Sequence, residues 1–326
     1  AKELTLTRSN YNPETIKENL ESFLDRDLEG VWEERGSNNL AGRVHTVDVD
    51  FDSGIIYCGS SGGNIWIGSV NGEGWVCAND YMQIDNIKML RSVQNQSNRQ
   101  NRLLISGGNK FYYSDNEGFT INQSSGLNGV ESWGEIYRSI VTFHDINTNP
   151  VIFVLTKEWD SGSTIKIFRS DDIGESFYEI YSTPLESEKA YDIWTDRYEL
   201  SNVYFLKNGN LFSISIDDNN INYIANAGPQ NQGENIISGG KDLQNNDQYH
   251  FHAKIGTKSY FSNNDGIFWV DKGDLPSYTF FRNSYSCSYD NMNLVTIGGI
   301  DLYKSLNAGT NWEKVNDWWE YYENPE

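Results

Sequence analysis

One eight-residue pattern recurs in this chain and constrains its fold more than any other feature. It reads Ser-x-Asp/Asn-x-Gly-x-x followed by an aromatic or aliphatic residue, and its four full copies are SDNEGFTI from Ser114, SDDIGESF from Ser170, SNNDGIFW from Ser262 and SLNAGTNW from Ser305. Two degenerate copies begin at Ser215 and Gly68. The six copies start 43 to 56 residues apart, and a period of this length is typical of radially repeated or stacked units.

The pattern predicts a tight turn. The short Asp or Asn side chain can bond backbone amides inside the turn, and the glycine can take the positive φ that closes it. The eighth residue then folds back as an apolar plug between neighbouring sheets. We assign the following residues to this architecture and not to catalysis: Ser114, Asn116, Gly118 and Ile121; Ser170, Asp172, Gly174 and Phe177; Ser262, Asn264, Gly266 and Trp269; Ser305, Asn307, Gly309 and Trp312.

Each repeat unit supplies four short strand-like runs. In the first unit these are Val44 to Val49, Gly54 to Cys58, Asn64 to Ile67 and Gly74 to Cys77. Four strands in about 45 residues match one propeller blade. The sequence therefore predicts an all-β propeller with six four-stranded blades in this chain, which begin near Arg43, Lys88, Trp133, Tyr191, Asn235 and Phe280.

The segment before the first blade has a different pattern. A helix-start signal at Asn12 to Glu14 precedes apolar residues at helical spacing, which predicts an amphipathic helix from Pro13 to Leu28. Gly30 to Glu34 reads as a strand without a blade of its own. We expect an N-terminal extension over residues 1–29 and a propeller over residues 30–326, with the ring closed at six blades or completed by a seventh beyond Glu326.

The repeat resembles the Asp-box, or BNR, repeat, and the resemblance covers roughly Gly36 to Glu323. Propellers of this family include sialidases, xyloglucan-active hydrolases, sortilin-type receptor ectodomains and assembly factors. The opening VWEERGSNNLAGRVHTVDVDFDSGIIYCGSSGGNIW is similar to the first blade of secreted bacterial surface proteins, some of which end in a sorting domain for type IX secretion. The resemblance implies a piece of a longer exported or cell-surface protein.

Charge and cysteine content exclude several function classes. The net charge is −21, from 46 acidic and 25 basic residues, and such a surface repels the phosphate backbone of nucleic acids. Cys58, Cys77 and Cys287 lack metal-ligand spacing and are odd in number, so they predict neither a zinc site nor a disulfide framework; their redox state stays open. No apolar run is long enough for membrane insertion. If the chain is exported, Ala1 follows a removed leader.

Function is expected on the loops that join the second strand to the third and the fourth to the next blade, because these loops converge on one face. The candidate ligand-binding residues on these loops are Arg43, Trp133, Trp159, Tyr191 and Arg282. Flat aromatic rings stack on sugar rings while polar neighbours bind hydroxyls, so the expected ligand is a glycan, with a protein partner as the other option. The competing interpretation is that these tryptophans pack between blades.

A glycoside hydrolase is the alternative function. Hydrolysis needs two carboxylates on opposite sides of the scissile bond, and the candidates are Glu135, Asp160 and Asp301. The resemblance favours a non-catalytic role, because the F/Y-R-I-P segment of sialidases is absent and Ser60 occupies the place of the acidic residue that xyloglucan-active hydrolases carry. The sequence therefore leans towards a binding module.

No cofactor is expected. His250 and His252 are two residues apart in one strand. A metal site would need a third ligand, so we favour an ordinary role in the core or at the surface for both. Asp48, Asp50 and Asp52 also alternate and could hold Ca²⁺, although they lack the EF-hand pattern. Solvated carboxylates at the end of a strand are the favoured interpretation of these three.

Overall fold

The chain folds as an all-β propeller of six four-stranded antiparallel blades. The computed structural model describes residues 43–143, 148–159, 162–196, 202–241, 248–276, 284–317 and 319–320. Within every sheet the strands lie in chain order, each beside its neighbour in sequence. The fold class predicted from the repeat is thereby confirmed, whereas the predicted helix at Pro13 to Leu28 and the predicted strand at Gly30 to Glu34 lie outside the described residues.

The strands are short and evenly distributed among the blades. Blade 1 contains β1 (Val44–Asp50), β2 (Ile55–Ser60), β3 (Ile65–Ser69) and β4 (Val76–Cys77). Blade 2 contains β5 (Ile87–Gln94), β6 (Asn101–Gly107), β7 (Lys110–Ser114) and β8 (Asn122–Gln123). Blade 3 contains β9 (Gly134–Phe143), β10 (Pro150–Glu158), β11 (Thr164–Ser170) and β12 (Tyr178–Pro184).

Blade 4 contains β13 (Tyr191–Trp194), β14 (Val203–Lys207), β15 (Asn210–Ile214) and β16 (Ile221–Asn226). Blade 5 contains β17 (Asn235–Lys241), β18 (Tyr249–Ile255), β19 (Lys258–Ser262) and β20 (Val270–Asp274). Blade 6 contains β21 (Ser284–Cys287), β22 (Val295–Gly298), β23 (Leu302–Ser305) and β24 (Glu313–Lys314). A short helix, α1 (Asn128–Trp133), precedes blade 3 and was not predicted from the sequence.

The first strands of blades 1 to 5 begin within one residue of the predicted positions. The sixth predicted start, Phe280, lies outside the described residues, and the first described strand of that blade begins at Ser284. This agreement arises because each blade start follows the repeated turn at a nearly constant distance.

Contacts divide the chain into two units. The described part of the first comprises residues 43–92, Asn101–Gly108 and Tyr112–Asn122. Its apolar core includes the fully buried Tyr57, Ile65 and Ile87. The second unit comprises Val93–Gln100, Asn109–Phe111 and the chain from Gln123 onwards. Among its described residues, apolar clusters lie at blades 3 and 4, blades 4 and 5, and blades 5 and 6.

The repeated turn has the geometry that its sequence predicts. In the copy from Ser170, the Asp172 carboxylate accepts the Ser170 hydroxyl at 2.7 Å and the Ser176 amide at 2.9 Å. The Gly174 amide donates to Ser170 Oγ at 2.9 Å, and Gly174 has a φ of 83°. The same bond from Ser to Asx and the same positive-φ glycine occur in the other three full copies. The residue before each glycine, here Ile173 with a φ of 58°, is also left-handed, which the pattern did not predict.

The eighth residues of the turns pack against the cores. Ile121 lies on the apolar core of the first unit, and Phe177 is 5% exposed with its ring centroid 4.9 Å from that of Phe111. Trp269 and Trp312 pack on the clusters at blades 4 and 5 and at blades 5 and 6. All four side chains therefore contact apolar clusters or buried rings.

Carboxylates on the first strands of blades bind the first strand of the next blade. Asp48 of β1 accepts the backbone amide of Ser92 at 2.8 Å. Asp192 of β13 accepts the amide of Ile237 at 2.8 Å and the guanidinium of Arg138 at 2.6 Å. Asp48 is 4% exposed, so its expected position at the solvated end of a strand is wrong; the carboxylate is buried because it supplies an acceptor to the neighbouring strand.

Candidate functional site

Two exposed tryptophans lie at the same end of blade 3. Gly134, the first residue of β9, pairs with Glu158, the last residue of β10. Trp133 directly precedes this pair, Trp159 directly follows it, and the Trp159 amide donates to the Trp133 carbonyl oxygen at 2.7 Å. The two side chains are 72% and 49% exposed. We call Trp133 and Trp159 the tryptophan platform.

Helix α1 positions Trp133. Leu127 and Val130 are fully buried beneath the helix, and the Asn109 amide group donates to the carbonyl oxygen of Glu131 at 2.7 Å. Gly134 follows directly, and a Cβ there would lie 2.5 Å from the Lys157 carbonyl oxygen. Trp133 is thus exposed at the end of a segment whose backbone is fixed on both sides.

A buried ion pair supports the same helix. The Glu158 carboxylate lies so close to Gly129 that a Cβ on this glycine would be 2.8 Å from both of its oxygens. The Lys166 ammonium is 3.0 Å from Glu158 and 3.0 Å from Glu179. Burial favours a lower pKa for Lys166, but its bonds to the two glutamates outweigh this effect and raise the pKa above its ordinary value. Lys166 therefore stays charged and holds Glu158 against the helix.

Lys157 supports the second ring of the platform. Its ammonium lies 5.7 Å from the centroid of the Trp159 ring and 2.5 Å from Glu188 Oε1. A cation at this distance from an indole face is attracted by the ring. The Lys157 side chain is only 7% exposed, so it acts on the ring and not on a solute. Glu188, by contrast, is 64% exposed at the edge of the site.

Tyr137 of β9 has a neutral hydroxyl group. Burial raises its pKa, and the nearby carboxylates Glu135 and Glu188 raise it further. The phenol therefore remains protonated throughout the physiological range. The arrangement offers two anchored aromatic surfaces with carboxylates beside them, which is suited to stacking on an apolar ring face while hydroxyl or amide groups are bound at the edge.

Of the other ligand-binding candidates, Tyr191 is not part of this surface. Tyr191 is 3% exposed, its ring stacks on Phe205 at 6.4 Å, and its hydroxyl oxygen accepts the Glu186 amide at 2.7 Å. It is packed in the core of the second unit. Arg43 is exposed in the first unit, where its carbonyl oxygen accepts the Ser61 amide. Arg282 lies outside the described residues.

Two of the three catalytic candidates, Glu135 and Asp301, lie on different blades. Glu135 is half-buried on β9, opposite Lys157 of β10. Asp301 is 13% exposed and forms an ion pair with Lys314 at 2.9 Å. Asp160 lies outside the described residues. The sequence indicated neither Lys157 nor Glu188, whose ion pair lies beside Trp159 at this end of blade 3.

No group of three His, Cys, Asp or Glu side chains among the described residues is arranged to hold a metal ion. Within the same part of the chain, no helix has the length and apolar character needed to cross a membrane.

Comparisons with known proteins support the fold. No protein-family model and no curated protein matches the sequence. Among solved structures, an oligogalacturonate lyase in complex with manganese matches with a TM-score of 0.52 at 10% identity, over 84% of this chain and 77% of that one. YCF48 from Cyanidioschyzon merolae matches with a TM-score of 0.51 at 12% identity, over 86% and 85% of the two chains.

The extracellular domain of a putative one component system from B. thetaiotaomicron matches with a TM-score of 0.50 at 14% identity. The match covers 87% of this chain and 41% of that one. At such low identities the three similarities show a shared β-propeller fold and nothing more specific.

Proposed function

We propose that this chain is a non-catalytic Asp-box propeller that binds a glycan through Trp133 and Trp159. The observation that carries the proposal is the tryptophan platform itself. Its two large rings are exposed to water, yet their backbones are bonded to each other and anchored by buried groups. Exposing two indoles on a fixed support leaves apolar surface in water, which is explained if a ligand covers it.

The support beneath the rings favours binding over packing. Trp194, a tryptophan that does pack, is 8% exposed and surrounded by the rings of Tyr204, Tyr249 and Phe251. Trp133 is the most exposed tryptophan among the described residues. Because the platform is held before any ligand arrives, little conformational entropy is lost on binding.

The test is a glycan-array screen of the purified chain, followed by the same screen with Trp133→Ala and Trp159→Ala. Each substitution should abolish or strongly weaken the signal of the best hit. Phe268→Ala is the matched control, because Phe268 is 66% exposed but lies in the turn between β19 and β20, at the opposite end of the blades. Binding that survives both tryptophan substitutions would contradict the proposal.

The same screen distinguishes glycan binding from glycan hydrolysis and from the binding of a protein partner. Any glycan that binds is incubated with the protein, and its reducing ends are measured. New ends that disappear in Glu135→Gln, Asp160→Asn or Asp301→Asn would establish the glycoside hydrolase and overturn the non-catalytic proposal. If no glycan binds and the two tryptophan variants instead lose a protein partner, the ligand class in the proposal is wrong.

Export is part of the proposal. It rests on the similarity of the first blade to secreted bacterial surface propellers and on one structural neighbour that is an extracellular domain. Fractionation of the source cells, with antibody detection, should find the protein outside the cytoplasm as part of a chain heavier than 37.2 kDa. Detection of a 37 kDa chain in the cytoplasm alone would contradict this part.

A further inference from the structure

Two buried histidines hold blade 6 on blade 5. His250 and His252 are two residues apart on β18, so both rings project from the same face of the sheet. They are 1% and 0% exposed. His250 Nε2 lies 3.0 Å from the Ser288 carbonyl oxygen, and His252 Nε2 lies 2.9 Å from the Met292 carbonyl oxygen. Both carbonyls belong to the connection between β21 and β22, residues 288–294.

The bonds fix the protonation state of His252. A carbonyl oxygen can only accept a hydrogen bond, so Nε2 carries the proton and Nδ1 of the neutral ring carries a lone pair. His252 Nδ1 is buried and meets no hydrogen-bond partner among the described residues. A second proton would have to bind there, where it would find no acceptor and little water. Protonation of Nδ1 therefore destabilises the arrangement in which the ring is buried against residues 288–294, which we call the closed form.

The surroundings of His252 keep its ring neutral. Burial is the main cause that lowers its pKa, to about 3; the bond to the Met292 carbonyl oxygen opposes this effect, and the nearby His250 and Lys272 add to it. Ser238, opposite His252 in the sheet, contacts Cys287 of blade 6. Burial raises the pKa of that thiol to about 11, so Cys287 stays neutral.

The connection itself is held mainly by polar contacts. Besides the two imidazoles, the Lys241 amide donates to the Tyr289 carbonyl oxygen at 2.8 Å, and the Tyr289 hydroxyl donates to Asp196 at 2.9 Å. Among the described residues, the apolar cluster at blades 5 and 6 has buried side chains at Leu275, Tyr285, Val295 and Ile297. Loss of the imidazole bonds would remove two of these four polar contacts of the connection.

We propose that His250 and His252 form an acid-sensitive latch, which releases the 288–294 connection and blade 6 in mildly acidic surroundings while blades 3 and 4 stay folded. An opened imidazole in water has an ordinary pKa of about 6.5, so acid favours the open form. Between pH 7 and pH 5, His252 alone should raise the opening constant about 25-fold.

Native-state hydrogen exchange of the intact chain tests the latch. Protection factors, corrected for the pH dependence of intrinsic exchange, are compared at pH 7 and pH 5 for peptides from β21 and β22 and for peptides from β9 and β10. We expect protection in blade 6 to fall at least about 25-fold at pH 5, while blade 3 changes little. An equal change in both blades would overturn the proposal.

Substitution of both histidines provides the matched comparison. The double variant His250→Gln and His252→Gln keeps an amide donor for each carbonyl but cannot gain a proton in this range, so its blade 6 protection should be the same at pH 7 and pH 5. Ser238→Ala is the control, because it removes a bond across the same blades without changing the titration. It should lower protection by the same factor at both values, and a double variant that keeps the wild-type pH response would overturn the latch.

A measurement on the unmodified protein covers the case in which the double variant does not fold. The NMR shift of the His252 ring Cε1 proton is followed from pH 7 to pH 5. The latch requires this signal to stay in its neutral position in the closed form. Titration of the closed form with a midpoint near 6.5 would show that the ring is not protected, and the latch would be wrong.

Discussion

The contact of blades 3 and 4 differs in kind from the contact of blades 5 and 6, although the same repeat builds both. Between blades 3 and 4, thirteen buried apolar side chains form one cluster around Phe153, Ile193 and Phe205. Between blades 5 and 6, the described cluster has four, and beside it lie two imidazoles, a serine and a thiol.

The difference shows how one turn pattern can support two mechanisms of attachment. Apolar packing does not depend on pH, whereas a buried imidazole is stable only while it is neutral. Burial of polar groups at blades 5 and 6 therefore makes this contact less stable and makes its stability depend on pH.

Matched cavity substitutions compare the two contacts directly. Ile193 and Ile297 are 0% and 1% exposed. We expect Ile193→Ala to lower the free energy of unfolding by about 4 kcal/mol and Ile297→Ala by about 2 kcal/mol, because a cavity in the larger cluster can relax less. Urea denaturation followed by circular dichroism measures both values, and a larger loss for Ile297→Ala would reverse the contrast.

The pH dependence of stability should follow His252. Its pKa in the folded chain, about 3, is below the ordinary value, so the unfolded chain binds the proton more readily. Stability is then complete above about pH 6.5 and is lost as the pH falls towards 3. Between pH 7 and pH 5 the loss should be about 2 kcal/mol for this residue.

The one carboxylate at the Asp/Asn position of the four full turns, Asp172, loses its contribution to stability in a lower pH range. Burial favours a higher pKa for Asp172, but hydrogen bonds from Ser176 and Ser170 outweigh it and lower the pKa. Its contribution is present above its ordinary pKa and disappears only below that value. Asp172 therefore contributes little to the difference between urea denaturation at pH 7 and at pH 5. The double variant His250→Gln and His252→Gln should reduce that difference by at least about 2 kcal/mol.

Removal of a single bond between blades 5 and 6 should have a smaller effect. The Cys287 amide donates to Ser238 Oγ at 3.0 Å, and Ser238→Ala leaves this buried donor without its acceptor. We expect a loss of about 1 to 2 kcal/mol. Ser286→Ala is the control, because Ser286 is exposed on the same strand. Thermal unfolding of the two variants measures this loss. Equal midpoints for Ser238→Ala and Ser286→Ala would show that the bond contributes nothing to stability.

Removal of the most exposed tryptophan should have the smallest effect on stability. Trp133→Ala should change the free energy of unfolding by less than about 0.5 kcal/mol, because its side chain is mostly in water. The same urea experiment measures this change. A large loss would mean that Trp133 is part of the packing of blade 3, and the platform would then be structural.

The local part of the fold was predictable from the sequence. The turn of Ser170 to Phe177 forms bonds between residues no more than four apart, so a pattern of eight residues contains the whole interaction. Because the turns recur at regular distances, the starts of the blades followed from them. The left-handed backbone at Ile173 gave no signal, since nothing in an isoleucine favours that conformation.

The site depends on distant residues, and the sequence indicated it only in part. Trp133 and Trp159 were predicted as loop aromatics, but the same reasoning selected Tyr191, which is buried because its ring stacks on Phe205. The Lys157 ammonium reaches Glu188, 31 positions away. No local pattern encodes that pair or the packing that forms α1.

Hydroxyl-radical footprinting tests the tryptophan platform most directly. The unmodified chain is oxidised with and without the best glycan from the array, and oxidation is measured residue by residue. Oxidation of Trp133 and Trp159 should fall sharply on binding, while that of Phe268 and Tyr223, which are 66% and 59% exposed, stays constant. If both tryptophans are oxidised equally in the two states while another surface is protected, the glycan binds elsewhere and the platform is not its site.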